Sequence, residues 1–207
     1  MILFLLFFAS PLDPVIARLE ARYNQMESLR AVFVQQYRAD EQATAREESG
    51  VVYLRKPGQM RWDYSKPEVK QFFCSGKEAY FYAPADHQAT RFSVKDSTDA
   101  RIPLRFLLGK LNLRRIFAKI EAATDLAPID PGDPVLKLWP KKGETFRDIY
   151  LEIDAQSRIR RLVIDDGDGS RSDFRLSAEE PNPRLDSNLF RFTAPAGVTI
   201  VDERSGQ

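Results

Sequence analysis

The chain of 207 residues is 43% hydrophobic, 11% aromatic and 29% charged, which fits a globular protein and excludes disorder, collagen and disulfide-stapled miniproteins. Lys and Arg number 31 against 30 Asp and Glu, so the net charge of +1 gives no global attraction for nucleic acid or an anionic membrane. With one His and one Cys, a nucleophile–base pair could rest only on His87, no intrachain disulfide can form, and zinc lacks its usual ligands.

The first ten residues, MILFLLFFAS, hold an apolar run from Ile2 to Ala9 followed by Ser10 and Pro11. Eight residues make a helix of about 12 Å, far short of the roughly 30 Å of a bilayer core. A short apolar run ending in small residues reads as a secretory leader, although no Lys or Arg precedes it. Residues 1–10 are therefore expected to be removed, leaving 11–207 as a single domain. From Pro14 the spacing of Val15, Leu19, Tyr23 or Met26 predicts a helix ending near Ser28, with Asp13 as N-cap. Residues 30–37 then read as a strand, with Ala31, Phe33 and Gln35 on one face and Val32, Val34 and Gln36 on the other.

From Gly50 the pattern becomes short aromatic and β-branched runs closed by Gly and Pro: GVVYLRKPG, QMRWDYSKP, VKQFFCSG, AYFYAP and ATRFSVKD. Their spacing predicts an antiparallel meander, because parallel pairs would need long crossovers. Residues 101–119 interrupt it with one helix or two short ones, broken near Gly109 and Asn112. Strands are expected to resume with PVLKLWPK, FRDIYLEID, IRRLVIDD, RSDFRLS and LFRFTAP. No linker or internal repeat divides the chain. The layout predicts a mainly β, α+β domain built on one large antiparallel sheet with helices on one face.

Parity assigns the faces. Val52, Leu54 and Lys56 share one side, as do Met60, Trp62 and Tyr64 against Arg61 and Asp63. Leu151 and Ile153 likewise oppose Tyr150, Glu152 and Asp154. With few helical residues to cover so wide a sheet, the apolar side is either an ordinary core or a cavity for a hydrophobic ligand. Other motifs carry little chemistry. Asp165 to Ser170 has a calcium-loop flavour but lacks a later bidentate Glu, and Asp-Gly favours a hairpin. His87 reads as a surface residue and Cys74 as a buried small hydrophobe. The Arg-rich stretches 101–115 and 158–161 read as solvated faces. GxGxxG, GxSxG, Walker and HExxH patterns are all missing.

Three stretches in order resemble the LolA family of outer-membrane lipoprotein carriers. They are GVVYLRKPGQMRWDYSKP at 50–67, SGKEAYFYAPADHQAT at 75–90 and FRFTAPAGVTIVDER at 190–204. The resemblance covers about residues 13–204. It implies an incomplete antiparallel β-barrel, or half-barrel, with an α-helical lid over an apolar cavity. It implies a monomeric periplasmic carrier with no enzymatic activity and no cofactor. Its partners would be acylated lipoproteins, an inner-membrane ABC transporter and an outer-membrane lipoprotein receptor. On this reading Val52, Leu54, Met60, Trp62 and Tyr64 line the cavity. Leu104, Leu107, Leu108 and Leu111 form the inner face of the lid. The family's residue before the first proline is usually an Arg that holds the lid by hydrogen bonds to its backbone. Here it is Lys56, a point charge rather than a planar fork, which suggests a weaker latch. A different reading is a lipid- or lipoprotein-sensing regulatory module of the same fold.

Overall fold

The computed structural model describes residues 12–95, 101–144 and 146–203; the leader expected at 1–10 lies outside them. Helix α1 spans Asp13–Asn24, shorter than its periodicity suggests. Strand β1, Ser28–Arg38, already starts where the helix is expected to end. Asp13 is not the cap: Leu12 holds that position without a side-chain bond, and the Asp13 carboxylate pairs with Arg114. The helix buries Ile16, Leu19 and Tyr23, an i, i+3, i+7 stripe.

Among the described residues, eleven further strands follow. They are β2 Arg46–Arg55, β3 Gln59–Lys66, β4 Lys70–Ser75, β5 Glu78–Ala83, β6 Gln88–Ser93, β7 Lys119–Ala122, β8 Val135–Trp139, β9 Phe146–Ile153, β10 Ile159–Asp166, β11 Arg171–Pro181 and β12 Thr199–Asp202. All belong to one sheet in the order β12-β6-β5-β4-β3-β2-β1-β11-β10-β9-β8-β7. The two outermost strands do not pair with each other, so the sheet is an incomplete barrel with an inner and an outer face. One element departs from the expected antiparallel pattern: β12 runs parallel to β6.

Strand parity on the N-terminal half is as the sequence suggests. Ala31, Phe33 and Gln35 are buried on the inner face, and so are Val52, Leu54, Met60, Trp62 and Tyr64. Gly50 belongs to the same face, and there a side chain would force the β3 backbone to shift: a Cβ would sit 1.9 Å from the Asp63 carbonyl oxygen. At the β10–β11 hairpin, Gly169 adopts φ +94° and the Asp168 carboxylate accepts from Ser170 N at 2.9 Å. A hairpin, not an ion loop, accounts for the Asp-Gly repeat.

Two of the expected strands need correction. LFRFTAP is not a strand. A 3₁₀ turn at Ser187–Phe190 replaces it, capped by Asp186, whose side chain accepts from Asn188 N at 2.8 Å. The segment carries Phe192 onto the outer face, within 5.5 Å of the Phe73 ring and 5.1 Å of Tyr80. Strand β9 does not alternate in burial, because its outer face is covered as well. Ala123 and Leu126 pack on Tyr150, Val135 and Val163, and the buried Glu152 carboxylate accepts from the backbone N–H of Ile129 and Asp130. As expected, residues 101–119 form two short pieces, a 3₁₀ segment at Ile102–Leu108 and a four-residue helix, α2 Leu113–Ile116, with the break at 109–112. Among the described residues no helix is long and apolar enough to cross a membrane.

Candidate functional site

Ladder register arranges the inner face in rows. Leu29, Leu54, Met60, Cys74 and Ala79 lie opposite one another across β1 to β5. The next row is Ala31, Val52, Trp62, Phe72 and Phe81, and the next Phe33, Gly50 and Tyr64. Phe33 meets the rings of Trp62 and Tyr64 edge-on, at 4.8 and 4.9 Å.

The segment 102–111 and α1 cover this face. Leu104, Leu107, Leu108 and Leu111 are all at most 5% exposed, and they join Val52, Leu54, Met60, Trp62 and Tyr64 in one apolar cluster. The nine residues singled out in the sequence therefore meet. Between the lid, α1 and the Lys56 end of β2, about 10 Å³ of space remains, no more than one water needs. Segment 102–111 therefore packs directly on this face.

Polar contacts at the rim hold the cover. Asn24 Nδ2 donates to Leu111 O at 2.9 Å, and Leu111 N donates to Asn24 Oδ1 at 2.7 Å. Glu20 Oε1 accepts from Leu113 N at 2.7 Å, satisfying an orphan amide at the start of α2. Gly58 N donates to Leu108 O at 3.1 Å, and Arg105 reaches Gly76 O at 3.2 Å. Among the described residues, Lys56 has no bond to the lid segment. Its Nζ donates to Tyr23 O at 2.6 Å, in the last turn of α1, where a cation also suits the helix dipole. Partial burial holds its ammonium pKa below the ordinary lysine value, against the opposing charge of Glu27.

Helix α1 is itself pinned to the sheet. Arg22 pairs with Glu179, and the Tyr23 hydroxyl donates to Glu179 Oε2 at 3.1 Å while accepting from Ile159 N at 3.0 Å. Burial, reinforced by the Glu179 charge, raises the phenol pKa far above its usual value. Sequence reasoning missed Asn24, Glu20 and Arg101. Arg101 lies in a stretch expected to be solvated, yet its guanidinium sits over Phe72, Phe81 and Tyr64 at 4.3, 5.0 and 5.5 Å. Arg114 does match that expectation, with its side chain 58% exposed. In 158–161, Arg161 instead grips Asp173 with both side chains 13% exposed.

Other features of the molecule lie apart from this face. A cleft of about 640 Å³ is lined by Arg38, Asp40, Arg147, Asp165 and Arg171, where Asp165 pairs with both Arg147 and Arg171 and Asp148 pairs with Arg147. The carboxylates of Asp130, Asp133 and Glu152 could meet at one cation. Burial, then the charges of Glu152 and Asp130, raise the Asp133 pKa. His87 is exposed in a left-handed turn, and Cys74 is buried within the inner-face cluster.

The family model for outer membrane lipoprotein carrier protein LolA matches residues 24–193. A protein of Methylococcus capsulatus named outer-membrane lipoprotein carrier protein is 29% identical over 190 residues, 91% of this chain and 88% of that protein. One of the same name from Nitrosospira multiformis is 26% identical over 97% of this chain and 94% of that protein. An uncharacterized conserved protein of Thermus thermophilus shares the fold at a TM-score of 0.54 and 17% identity, covering 92% of this chain and 98% of that one. The match runs from the last turn of α1, through the inner face and its lid, to the outer-face segment carrying Phe192, and by it the chain belongs to the LolA family.

Proposed function

We propose that this protein is a periplasmic lipoprotein carrier rather than an enzyme. It takes acylated lipoproteins from an inner-membrane ABC transporter, shields their acyl chains against the inner face, and hands them as a monomer to an outer-membrane receptor. The observation that carries this reading is the construction of the cover. An apolar face some five strands wide lies under short helical pieces that are fixed mainly by side chains at their rim. A permanent core does not need so separable a lid. The names of the relatives point the same way.

The energetics set the requirement. Each buried methylene contributes roughly 0.8 kcal/mol against water, so three long acyl chains represent on the order of 30 kcal/mol. A carrier must still release them to a membrane, which is equally apolar. The protein needs only to match lipid marginally, and opening must cost little. Val52, Leu54, Met60, Trp62 and Tyr64 serve as the acyl-chain surface. Leu104, Leu107, Leu108 and Leu111 exchange their contacts with it for solvent or cargo, and Lys56 steadies the closed state through α1.

Membrane vesicles bearing the transporter and a labelled lipoprotein test the proposal when incubated with the mature protein and ATP. A soluble one-to-one complex is expected, and its absence refutes the carrier reading. Leu54→Glu adds a check on the face. It abolishes lipid uptake while the fold survives if the lid can lift, and it unfolds the protein if the face is permanently dry.

A further inference from the structure

The inner face is not uniformly apolar. Its Leu29–Leu54–Met60 row offers no polar side chain. Two rows further on, the Tyr64 hydroxyl donates to Gln35 Oε1 at 2.7 Å, and Ser172 Oγ lies 3.5 Å from Gln35 Nε2. All three residues are at least nine-tenths buried, so this end is a polar strip sealed inside the sheet. Trp62 stands between the two ends, one inward-facing position from Tyr64 along β3. Its indole N–H is buried and has no acceptor among the described residues. The rings of Phe33 and Phe174, at 4.8 and 5.2 Å, surround it. A buried indole N–H normally finds a partner, and here the inner face supplies none.

We infer that Trp62 donates its indole N–H to the carbonyl oxygen of a bound acyl ester or amide. This orients the lipid with its carbonyl toward the Gln35–Tyr64–Ser172 end and its hydrocarbon toward Leu54 and Met60. The inference rests on the carrier reading and deepens it. The chemistry selects this class of ligand. An alkane offers no acceptor, and a free carboxylate would bring an unpaired charge onto an apolar face. A neutral acyl carbonyl satisfies the donor without that cost and comes with a chain attached. The single donor thereby distinguishes one end of a lipid from the other, which apolar contacts alone cannot do.

Methyl laurate and tridecane, two probes of similar length, test this against the wild type and Trp62→Phe. Displacement of a fluorescent lipid probe gives both affinities. The wild-type preference for the ester over the alkane should fall about three- to tenfold in the variant, the worth of one hydrogen bond. The smaller phenyl ring costs both probes the same apolar contact, so that loss cancels in the ratio. A second readout needs no variant. The chain has two tryptophans, and Trp139 lies on the outer face beside Lys119 and Lys137. In a ¹⁵N–¹H spectrum the Trp62 indole resonance should move downfield with methyl laurate and not with tridecane, while Trp139 stays fixed. If both probes bind but the preference and the resonance are unaffected, the hydrogen bond is refuted and the carrier reading stands. If neither probe binds, both fall.

Discussion

The Asn24 carboxamide is bonded to the Leu111 backbone at both of its ends, donating to the carbonyl at 2.9 Å and accepting from the N–H at 2.7 Å. A side chain here imitates one rung of a β-ladder, tying the end of α1 to the end of the lid. No other residue type of that length offers a donor and an acceptor side by side except Asp in its protonated form.

Asn24→Ala removes both bonds and leaves the Leu111 backbone groups to water. At about 0.5–1.5 kcal/mol per hydrogen bond, the open population should rise about 5- to 100-fold. Hydrogen exchange of amides 104–113 should accelerate by that factor while the β9–β10 amides keep their protection. Uniform acceleration of both regions would show that the lid does not open separately from the sheet.

Gly50→Ala tests the close approach of β2 to β3. The new methyl would lie 1.9 Å from Asp63 O and 2.9 Å from Tyr64 Cα, both backbone atoms that cannot swing away. Destabilisation of about 3 kcal/mol or more is expected, at the upper end for overpacking. Chemical denaturation should show the midpoint falling with an unchanged slope. A loss under 1 kcal/mol would mean that the bulge between Ser49 and Gly50 can absorb the side chain.

Much of this face is legible in the sequence because a half-buried strand has a period of two. A shift by one residue would put Arg61 and Asp63 inside, so the register of β2 and β3 follows from their own residues. Strand β9 also alternates in sequence, Leu151 and Ile153 against Tyr150 and Glu152, but the burial of its second face is not legible there, because the chain segment covering it reads as a turn-rich connection. Asn24 was also hidden: its partner is a backbone group 87 residues away, and nothing in the local pattern marks that. The same holds for LFRFTAP, whose alternation suits a strand but whose rings serve the outer face of β4 and β5.

Asp154 closes the β9–β10 turn, accepting at Oδ1 from Gln156 N and Arg158 N at 2.9 Å each and at Oδ2 from Arg158 Nε at 2.7 Å. Burial alone would raise its pKa, but the bonds from Arg158 and Gln156 outweigh it and hold the carboxyl below the ordinary value. A carboxylate depressed in the folded state contributes stability above its unfolded pKa of about 3.9, and that stability is lost as pH falls through the lower folded value. Asp154→Asn keeps the Oδ1 acceptor and removes the titration. Thermal melts from pH 6 down to about 2 should show the wild type losing more stability than the variant below about pH 4. Parallel curves would show that Asp154 contributes no pH dependence.

Lys56 and Asn24 act in series. Lys56 Nζ holds Tyr23 O, and the next residue, Asn24, holds the lid. Lys56→Leu should therefore raise lid opening about 2- to 10-fold, the effect of one hydrogen bond, by loosening the helix end that presents Asn24. The decisive measurement is the double variant. Once Asn24→Ala has cut the lid from α1, freeing α1 from β2 has little left to release, so the combined effect on exchange at 104–113 should fall short of the product of the two. Multiplicative effects would mean that Lys56 and Asn24 restrain the lid independently. No change in lid opening or lipoprotein release for Lys56→Leu alone would remove Lys56 from the latch and leave Asn24, Glu20 and the Gly58–Leu108 bond to hold it.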